Sequence, residues 1–250
     1  MVFNEIKYKV IDSTNDEAQR QLQSGMAPRE DFVIRADFQT AGRGQRGNSW
    51  YSHDAENLTF SYVFFPEKLP VQNQFMLSQA ISTAIVKYLQ DLGVEGVSIK
   101  WPNDIYVGMK KICGMLIENS VAGHYIKSSI VGVGININQT SFPDNLPNPT
   151  SLKLNTGDSY NLDTEFMTLL GHIRTALQSI TMGRNPDLMH LYKSHMLGMD
   201  APLRYISGGK VFNGIIRDVD SYGMLQLENE ETREVVSYAF NEVNLVIPEH

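Results

Sequence analysis

Cysteine is almost absent from this 250-residue chain, since Cys113 is the only one. A single thiol excludes an intramolecular disulfide framework and fits a reducing compartment. No run of about 18 apolar residues occurs, so no membrane-spanning helix is expected. The start, Met1-Val2-Phe3-Asn4-Glu5, lacks the basic segment followed by an apolar run that marks a secretion signal. These absences make the cytoplasm the expected location. The histidines, at 53, 124, 172, 190, 195 and 250, are scattered without the H-E-x-x-H spacing of a zinc site. There is no G-x-S-x-G nucleophile elbow and no G-x-x-x-x-G-K-[ST] phosphate loop. Positive charge is in deficit: 21 Lys and Arg stand against 28 Asp and Glu, a net charge of −7. That balance argues against a nucleic-acid partner, which needs a broad basic face, but it allows a local basic pocket. No internal repeat or low-complexity tract is present.

What is present is an ordinary apolar share of 42%, enough for one large domain or a large domain with a small one. Phe3 to Ile11 reads as a strand, and Asp12-Ser13-Thr14-Asn15 as the capped start of a helix ending near Gly25. Asp31 to Gln39 and Leu58 to Phe65 read as strands, with a Gly- and Arg-rich loop from Thr40 to Asn48 between them. Val71 to Leu92 has the periodicity of a single helix with Gly93 at its exit. Val97 to Trp101, Asp104 to Val107, Ile112 to Glu118 and Tyr125 to Ile137 read as strands. Thr140 to Thr150 holds Pro143, Pro147 and Pro149 and is a loop. Asp163 to Ile180 and Pro186 to His195 read as helices. Beyond about Asp200, five short strands in roughly 50 residues point to a small β-barrel. The expected division is residues 1–198 and 199–250.

Five segments carry chemistry, each with a plain structural alternative. Gly42-Arg43-Gly44-Gln45-Arg46-Gly47, followed by Trp50, offers exposed backbone N–H groups, forked cationic donors and a flat ring, though a solvated surface loop would look the same. Lys100-Trp101-Pro102-Asn103-Asp104 sets an amide beside a carboxylate, as a ligand site or as a turn cap. Lys110-Lys111-Ile112-Cys113-Gly114 can aim an ammonium at an anion or simply expose two lysines on a hairpin, and Cys113 reads as packing. Gly132-Val133-Gly134-Ile135-Asn136-Ile137-Asn138 has glycines that weaken a strand unless something approaches its backbone. Its two asparagines need partners, from a ligand or from loop backbone. Asp12 to Asn15 can cap a helix or bind a small polar group.

In this order and spacing, Ser13-Thr14-Asn15, the Arg–Gly loop with Trp50, Lys100 to Asp104, Lys111 with Gly114, and Gly132 to Asn136 resemble the biotin–protein ligase family over nearly the whole chain. The resemblance implies an α+β fold: a mixed, largely antiparallel sheet flanked by helices, as in the class II synthetase-like biotinyl/lipoyl ligase domain, with a small C-terminal SH3-like β-barrel. Some members carry an N-terminal winged helix-turn-helix. Ser13 comes so early here that the ligase-only form is expected.

The implied function is ATP- and Mg²⁺-dependent activation of biotin to biotinyl-5′-AMP, then transfer to a lysine of a biotin carboxyl carrier domain of a biotin-dependent carboxylase. The implied catalytic residues are Lys111, Arg43, Arg46 and Asp104. Biotin would be held by Ser13, Thr14, Gln39, Gly42, Arg43, Lys111 and Gly114. ATP would be held by Arg43, Arg46, Trp50, Asn103, Asp104, Lys111 and Asn136, with no firm protein ligand for Mg²⁺ beyond the neighbourhood of Asn103 and Asn136. The Arg–Gly loop is expected to be mobile when empty and ordered by its ligand. Gln45 stands where many members have an arginine associated with retaining the adenylate, so a looser hold is expected. No membrane or nucleic acid is expected as a partner, and the state is monomer or homodimer. The competing readings are a lipoate–protein ligase or octanoyltransferase and a catalytically dead biotin-binding regulator.

Overall fold

The computed structural model describes residues 4–28, 30–182 and 187–247, and the side chain of Arg46 lies outside the described part. The strands β1 (Asn4–Ile11), β2 (Phe32–Gln39), β3 (Leu58–Phe64), β4 (Val97–Lys100), β5 (Asp104–Val107), β6 (Lys110–Ala122) and β7 (Tyr125–Ile135) form one sheet in the order β1-β2-β3-β7-β6-β5-β4. Only β1 and β2 run parallel, joined by helix α1 (Thr14–Ser24). A parallel pair requires such a crossover, whereas the hairpins elsewhere give antiparallel neighbours. Ser13 caps α1 by accepting from the Asp16 N–H, and Gly25 closes it at φ 72°.

Strand periodicity divides the sheet into two faces. Leu58, Phe60, Tyr62 and Phe64 of β3 face helices α2 (Phe75–Asp91) and α4 (Leu162–Thr181) and share the main core with Leu77, Ile81, Ile85, Leu169 and Ile173. Each such full burial contributes about 1.5–3 kcal/mol. The Tyr88 hydroxyl on α2 donates to Glu165 on α4 at 2.7 Å, which ties the two helices together inside this layer. The other face carries Phe32, Ile34 and Val63 under Ala18 of α1. On that face β3 presents Thr59 and Ser61, both buried and polar. The small α1 covers only part of the face, and the uncovered part is where a ligand can sit.

Past helix α5 (Leu188–Ser194), strands β8 (Pro202–Ser207), β9 (Lys210–Val219), β10 (Leu225–Asn229), β11 (Val235–Tyr238) and β12 (Asn244–Leu245) form a second, fully antiparallel sheet in the order β11-β10-β9-β8-β12. The chain thus has the mixed α+β fold expected from its sequence, with the small C-terminal sheet of an SH3-like unit. The two sheets meet at the end of β4. Ile99 exchanges backbone bonds with His195 (2.7 Å) and Leu197 (2.8 Å), and the Trp101 indole donates to the Gly223 carbonyl at 3.0 Å.

Three elements differ from expectation. The Val71 to Leu92 helix is broken: Pro70 leads a 3₁₀ turn at Val71–Asn73, and α2 starts only at Phe75. The β6–β7 hairpin is longer than its apolar run, because cross-strand bonding carries β6 on to Ala122. A five-residue helix α3 (Leu152–Thr156) was not anticipated, being too short for periodicity, although Ser151 and Gly157 (φ 84°) cap it at its two ends. Pro186, expected to begin α5, lies outside the described residues. Among the described residues, no helix is long and apolar enough to cross a membrane.

Candidate functional site

One transverse row of the large sheet organises the site. In register, Lys100 of β4 faces Asp104 of β5, Asp104 faces Gly114 of β6, Gly114 faces Gly134 of β7, and Gly134 faces Thr59 of β3. The two glycines leave a shallow floor, and the Trp50 ring lies on it. A Cβ at Gly134 would come within 2.3 Å of Trp50 Cε2, and one at Gly114 within 3.1 Å of Trp50 Cζ3. In the next row, a Cβ at Gly132 would come within 2.3 Å of Asn15 Oδ1, and Asn15 itself accepts from Ser61 at 2.6 Å. The glycines therefore serve close approach rather than strand formation. This floor opens into a cavity of about 190 Å³ that runs on past Asp104 toward the C-terminal sheet.

Charge is concentrated beside the floor. Lys111 Nζ lies 2.7 Å from Asp104 Oδ1 and 5.8 Å from the Trp50 ring centroid. The Lys111 backbone is fixed by the proline-containing loop, donating to the Asn148 carbonyl at 2.7 Å and accepting from Thr150 at 2.9 Å. Arg43 reaches two acids, Asp16 at 2.5 Å and Glu118 at 2.9 Å. Its hydrogen bond to Glu118 raises its pKa further above the usual arginine range. Deeper in, the Thr14 N–H (2.8 Å) and hydroxyl (3.0 Å) both donate to Gln39 Oε1, and the Ser61 hydroxyl lies 2.8 Å from the Thr14 hydroxyl. These neutral donors and acceptors suit a small polar ligand head group.

The Arg–Gly loop is itself folded. Gly44 donates to Asn48 (2.7 Å), Trp50 donates to Gly42 (2.8 Å), and Arg43 bridges Ser49, making a short hairpin with a 3₁₀ tip at Gln45–Gly47. A buried network holds its exit. Asn57 donates to Ser52 and Gln139 and accepts from the Ile137 N–H, while the His53 N–H donates to Gln139.

Of the residues singled out from the sequence, Ser13, Thr14, Gln39, Arg43, Trp50, Asn103, Asp104, Lys111 and Gly114 line this one cavity. Gly42 does not. It lies in the stem of the hairpin, where a Cβ would meet the Trp50 carbonyl at 2.7 Å. Asn136 does not line it either: it is buried, its amide donates to the Thr150 carbonyl at 2.9 Å, and its Oδ1 has no hydrogen-bond partner. Asn138 is pinned in the same way against Tyr160. Asn103 lines the cavity wall while its amide donates to the Met115 carbonyl. The Arg46 side chain lies outside the described residues. Cys113 is fully buried in the main core, and burial pushes its thiol pKa well up, as packing requires. Among the described residues no group of three or more His, Cys, Asp or Glu could hold a metal ion.

The sequence singled out the segments that hold Asn15 and Lys100 but assigned neither residue a role, and it missed the C-terminal unit, which contributes Tyr205, Leu225 and Val243. The Gly-x-Gly spacing in β7 could have pointed to Asn15. Nothing local in the sequence announces a contact made 100 residues away.

The sequence model of the biotin/lipoate A/B protein ligase family matches residues 8–136. The bifunctional ligase/repressor BirA of Bacillus subtilis is 31% identical over 234 residues, covering 90% of this chain and 70% of that one. The biotin–[acetyl-CoA-carboxylase] ligase of Mycobacterium tuberculosis is 31% identical over 232 residues, covering 90% and 83%. The biotin protein ligase from Aquifex aeolicus, solved in complex with biotin and ATP, superposes with a TM-score of 0.81 at 25% identity, covering 98% of this chain and 99% of that one.

Proposed function

Because the chain belongs to the biotin/lipoate A/B protein ligase family, we propose that its cavity performs the two half-reactions of protein biotinylation. The chain activates biotin with ATP and transfers it to a carboxylase. ATP and biotin are its substrates, and Mg²⁺ enters with the nucleotide. The observation that carries the assignment of roles is the glycine floor with the Lys111–Asp104 pair at its edge.

In the first step a biotin carboxylate oxygen bonds to the α-phosphorus, the bond to the β-phosphate oxygen breaks, and pyrophosphate leaves with the electron pair. Carboxylate and triphosphate repel, so cations must bring them together. Lys111 stands beside the floor and stabilises charge on the carboxylate and α-phosphate. Arg43 joins it by exchanging Asp16 or Glu118 for a substrate anion, and Arg46 acts from the tip of the same loop. Thr14, Gln39 and Ser13 receive the neutral ureido group. Trp50, already stacked on Gly114 and Gly134, packs on the adenine, and Asn103 lies near the phosphates. In the second step the acceptor lysine amine attacks the acyl carbon and AMP leaves. Asp104 orients that amine and takes up its proton; because a carboxylate is a weak base for an ammonium, orientation is its main work.

The acceptor is the biotin carboxyl carrier domain of the carboxylase. Closure of the Arg–Gly hairpin over the mixed anhydride shields it from water. Gln45 on that hairpin lines the cavity. It brings a neutral amide where a guanidinium would give a stronger, charge-assisted bond, so the adenylate leaves more readily. Incubating the protein with biotin, Mg-ATP and a purified carrier domain tests the whole reading. The expected result is a mass gain of one biotinyl group on the carrier; an unmodified carrier, or one modified equally well without ATP, contradicts it.

A further inference from the structure

Three basic side chains line the cavity among the described residues: Arg43, Lys111 and Lys100. Two of them are already paired, Arg43 with Asp16 and Glu118, and Lys111 with Asp104. Lys100 has no carboxylate within ion-pair distance among the described residues, and its Nζ instead sits 5.9 Å from the Tyr106 ring centroid. Asp104 is the sole acid lining the cavity among those residues, and Lys111 occupies it. Burial lowers the Lys100 pKa; Asp104 counters this and Lys111 adds to it. A partly desolvated cation without a counterion is costly unless an anion is supplied.

Beyond Asp104, whose charge Lys111 offsets, no acid lines the cavity around Lys100 among the described residues. Leu197, Ile216, Leu225, Val243 and Leu245 wall the far arm of the cavity and carry no charge. Asn241 and Asn244 add amides there. The Tyr205 hydroxyl, on a residue only 3% exposed, has no hydrogen-bond partner. Tyr205 lines the same cavity as Lys100, and a Cβ at Gly198 would lie 3.5 Å from the Tyr205 hydroxyl.

The order along the sheet row completes the picture. Gly134 and Gly114 come first, then Asp104 with Lys111, and Lys100 last, on the outer strand. An in-line displacement sends the leaving group away from the attacking oxygen. With the α-phosphate at Lys111 and the carboxylate approaching from the Thr14 and Gln39 side, the leaving group points along the row toward Lys100.

We propose that the arm of the cavity between β4 and the C-terminal sheet seats the β- and γ-phosphates of the nucleotide and the pyrophosphate formed from them, with Lys100 as the cation that holds them. Lys100 then acts in the activation half alone. It neutralises charge as the bond between the α-phosphorus and the bridging oxygen breaks, and no proton moves. The Tyr205 hydroxyl adds a neutral donor from the C-terminal sheet.

This inference rests on the proposed function, and its test separates the two. Biotin-dependent exchange between pyrophosphate and ATP is measured on wild type, Lys100→Met and Lys100→Arg, alongside transfer to a carrier domain from pre-made biotinyl-5′-AMP. Lys100→Met should lose exchange about a hundredfold and resist inhibition by pyrophosphate while keeping the transfer half; Lys100→Arg should recover most of the exchange. Unchanged exchange, or equal loss in both halves, overturns the role of Lys100. Absence of exchange in the wild type overturns the proposed function instead, and this inference with it. A second measurement needs no variant. Mg-pyrophosphate should protect Lys100 of the wild-type protein from an amine-acetylating reagent, read by mass spectrometry, and AMP should not; equal protection by both contradicts the assignment.

Discussion

Lys111 and Lys100 line the same cavity in opposite circumstances. Lys111 has a carboxylate at 2.7 Å, an indole nearby and a backbone clamped by the proline-containing loop. Lys100 has a ring, apolar walls and no acid among the described residues within ion-pair reach. The floor end of the cavity is thus assembled before substrate arrives, and the arm near the C-terminal sheet is left to be completed by an anion. A pre-formed end suits a neutral ring that must be positioned, because little ordering remains to be done on binding. The incomplete end suits a charged leaving group that must be both held and released.

The comparison can be broken first at Lys111. Lys111→Met should lower biotin-dependent pyrophosphate formation by about 10²–10³-fold, the usual loss for a group that stabilises developing charge. Rapid-quench measurement of the adenylate checks it, and a loss smaller than that of Lys100→Met would reverse the ranking of the two lysines. At the floor itself, Gly134→Ala should drive the new methyl into Trp50 and cost about 1–3 kcal/mol of stability. Urea unfolding, with a change in the tryptophan near-ultraviolet signal, reports it. Behind the loop, Asn57→Ala should leave buried groups around Ser52, Gln139 and Ile137 unpaired and cost about 1–3 kcal/mol by the same measurement, with a smaller effect on activity.

Gln45→Arg sharpens the comparison from the loop side. A further cation on the hairpin should slow release of biotinyl-5′-AMP several-fold in a dissociation experiment, without changing pyrophosphate inhibition. The smallest effect lies away from the cavity. The Arg20 guanidinium and the Ser13 N–H hold the Asp12 carboxyl down to about 2, from an ordinary value of 3.8. A depressed carboxyl contributes stability that is complete above its unfolded pKa and lost as pH falls through the folded value. Asp12→Asn should therefore differ from wild type at neutral pH, and the difference should vanish as the pH falls from about 4 to about 2, in thermal melts across that range.

Much of this arrangement is legible in the sequence. Strand alternation and end signals such as Ser13 and Gly25 locate most elements, because each depends on residues a few positions apart. The Arg–Gly loop, Asp104, Lys111 and Gly114 stand out as local motifs, and they converge on one cavity. What escapes depends on long-range pairing. Asn136 has the right residue type, but the Thr150 carbonyl claims its amide. Lys100 belongs to a motif, yet its unpaired state is visible only once the neighbouring strand and the C-terminal sheet are in place. Trp50 reads as a base-stacking ring; that its own seat is Gly114 and Gly134 follows from a register between β6 and β7 that sequence alone does not set.

The most direct test of the account is pyrophosphate release from Mg-ATP with biotin, lipoate or octanoate offered in parallel to the purified protein. The account predicts release with biotin alone. Release driven by lipoate or octanoate, with biotin silent, would contradict it and move the chain to the lipoyl branch of the same family.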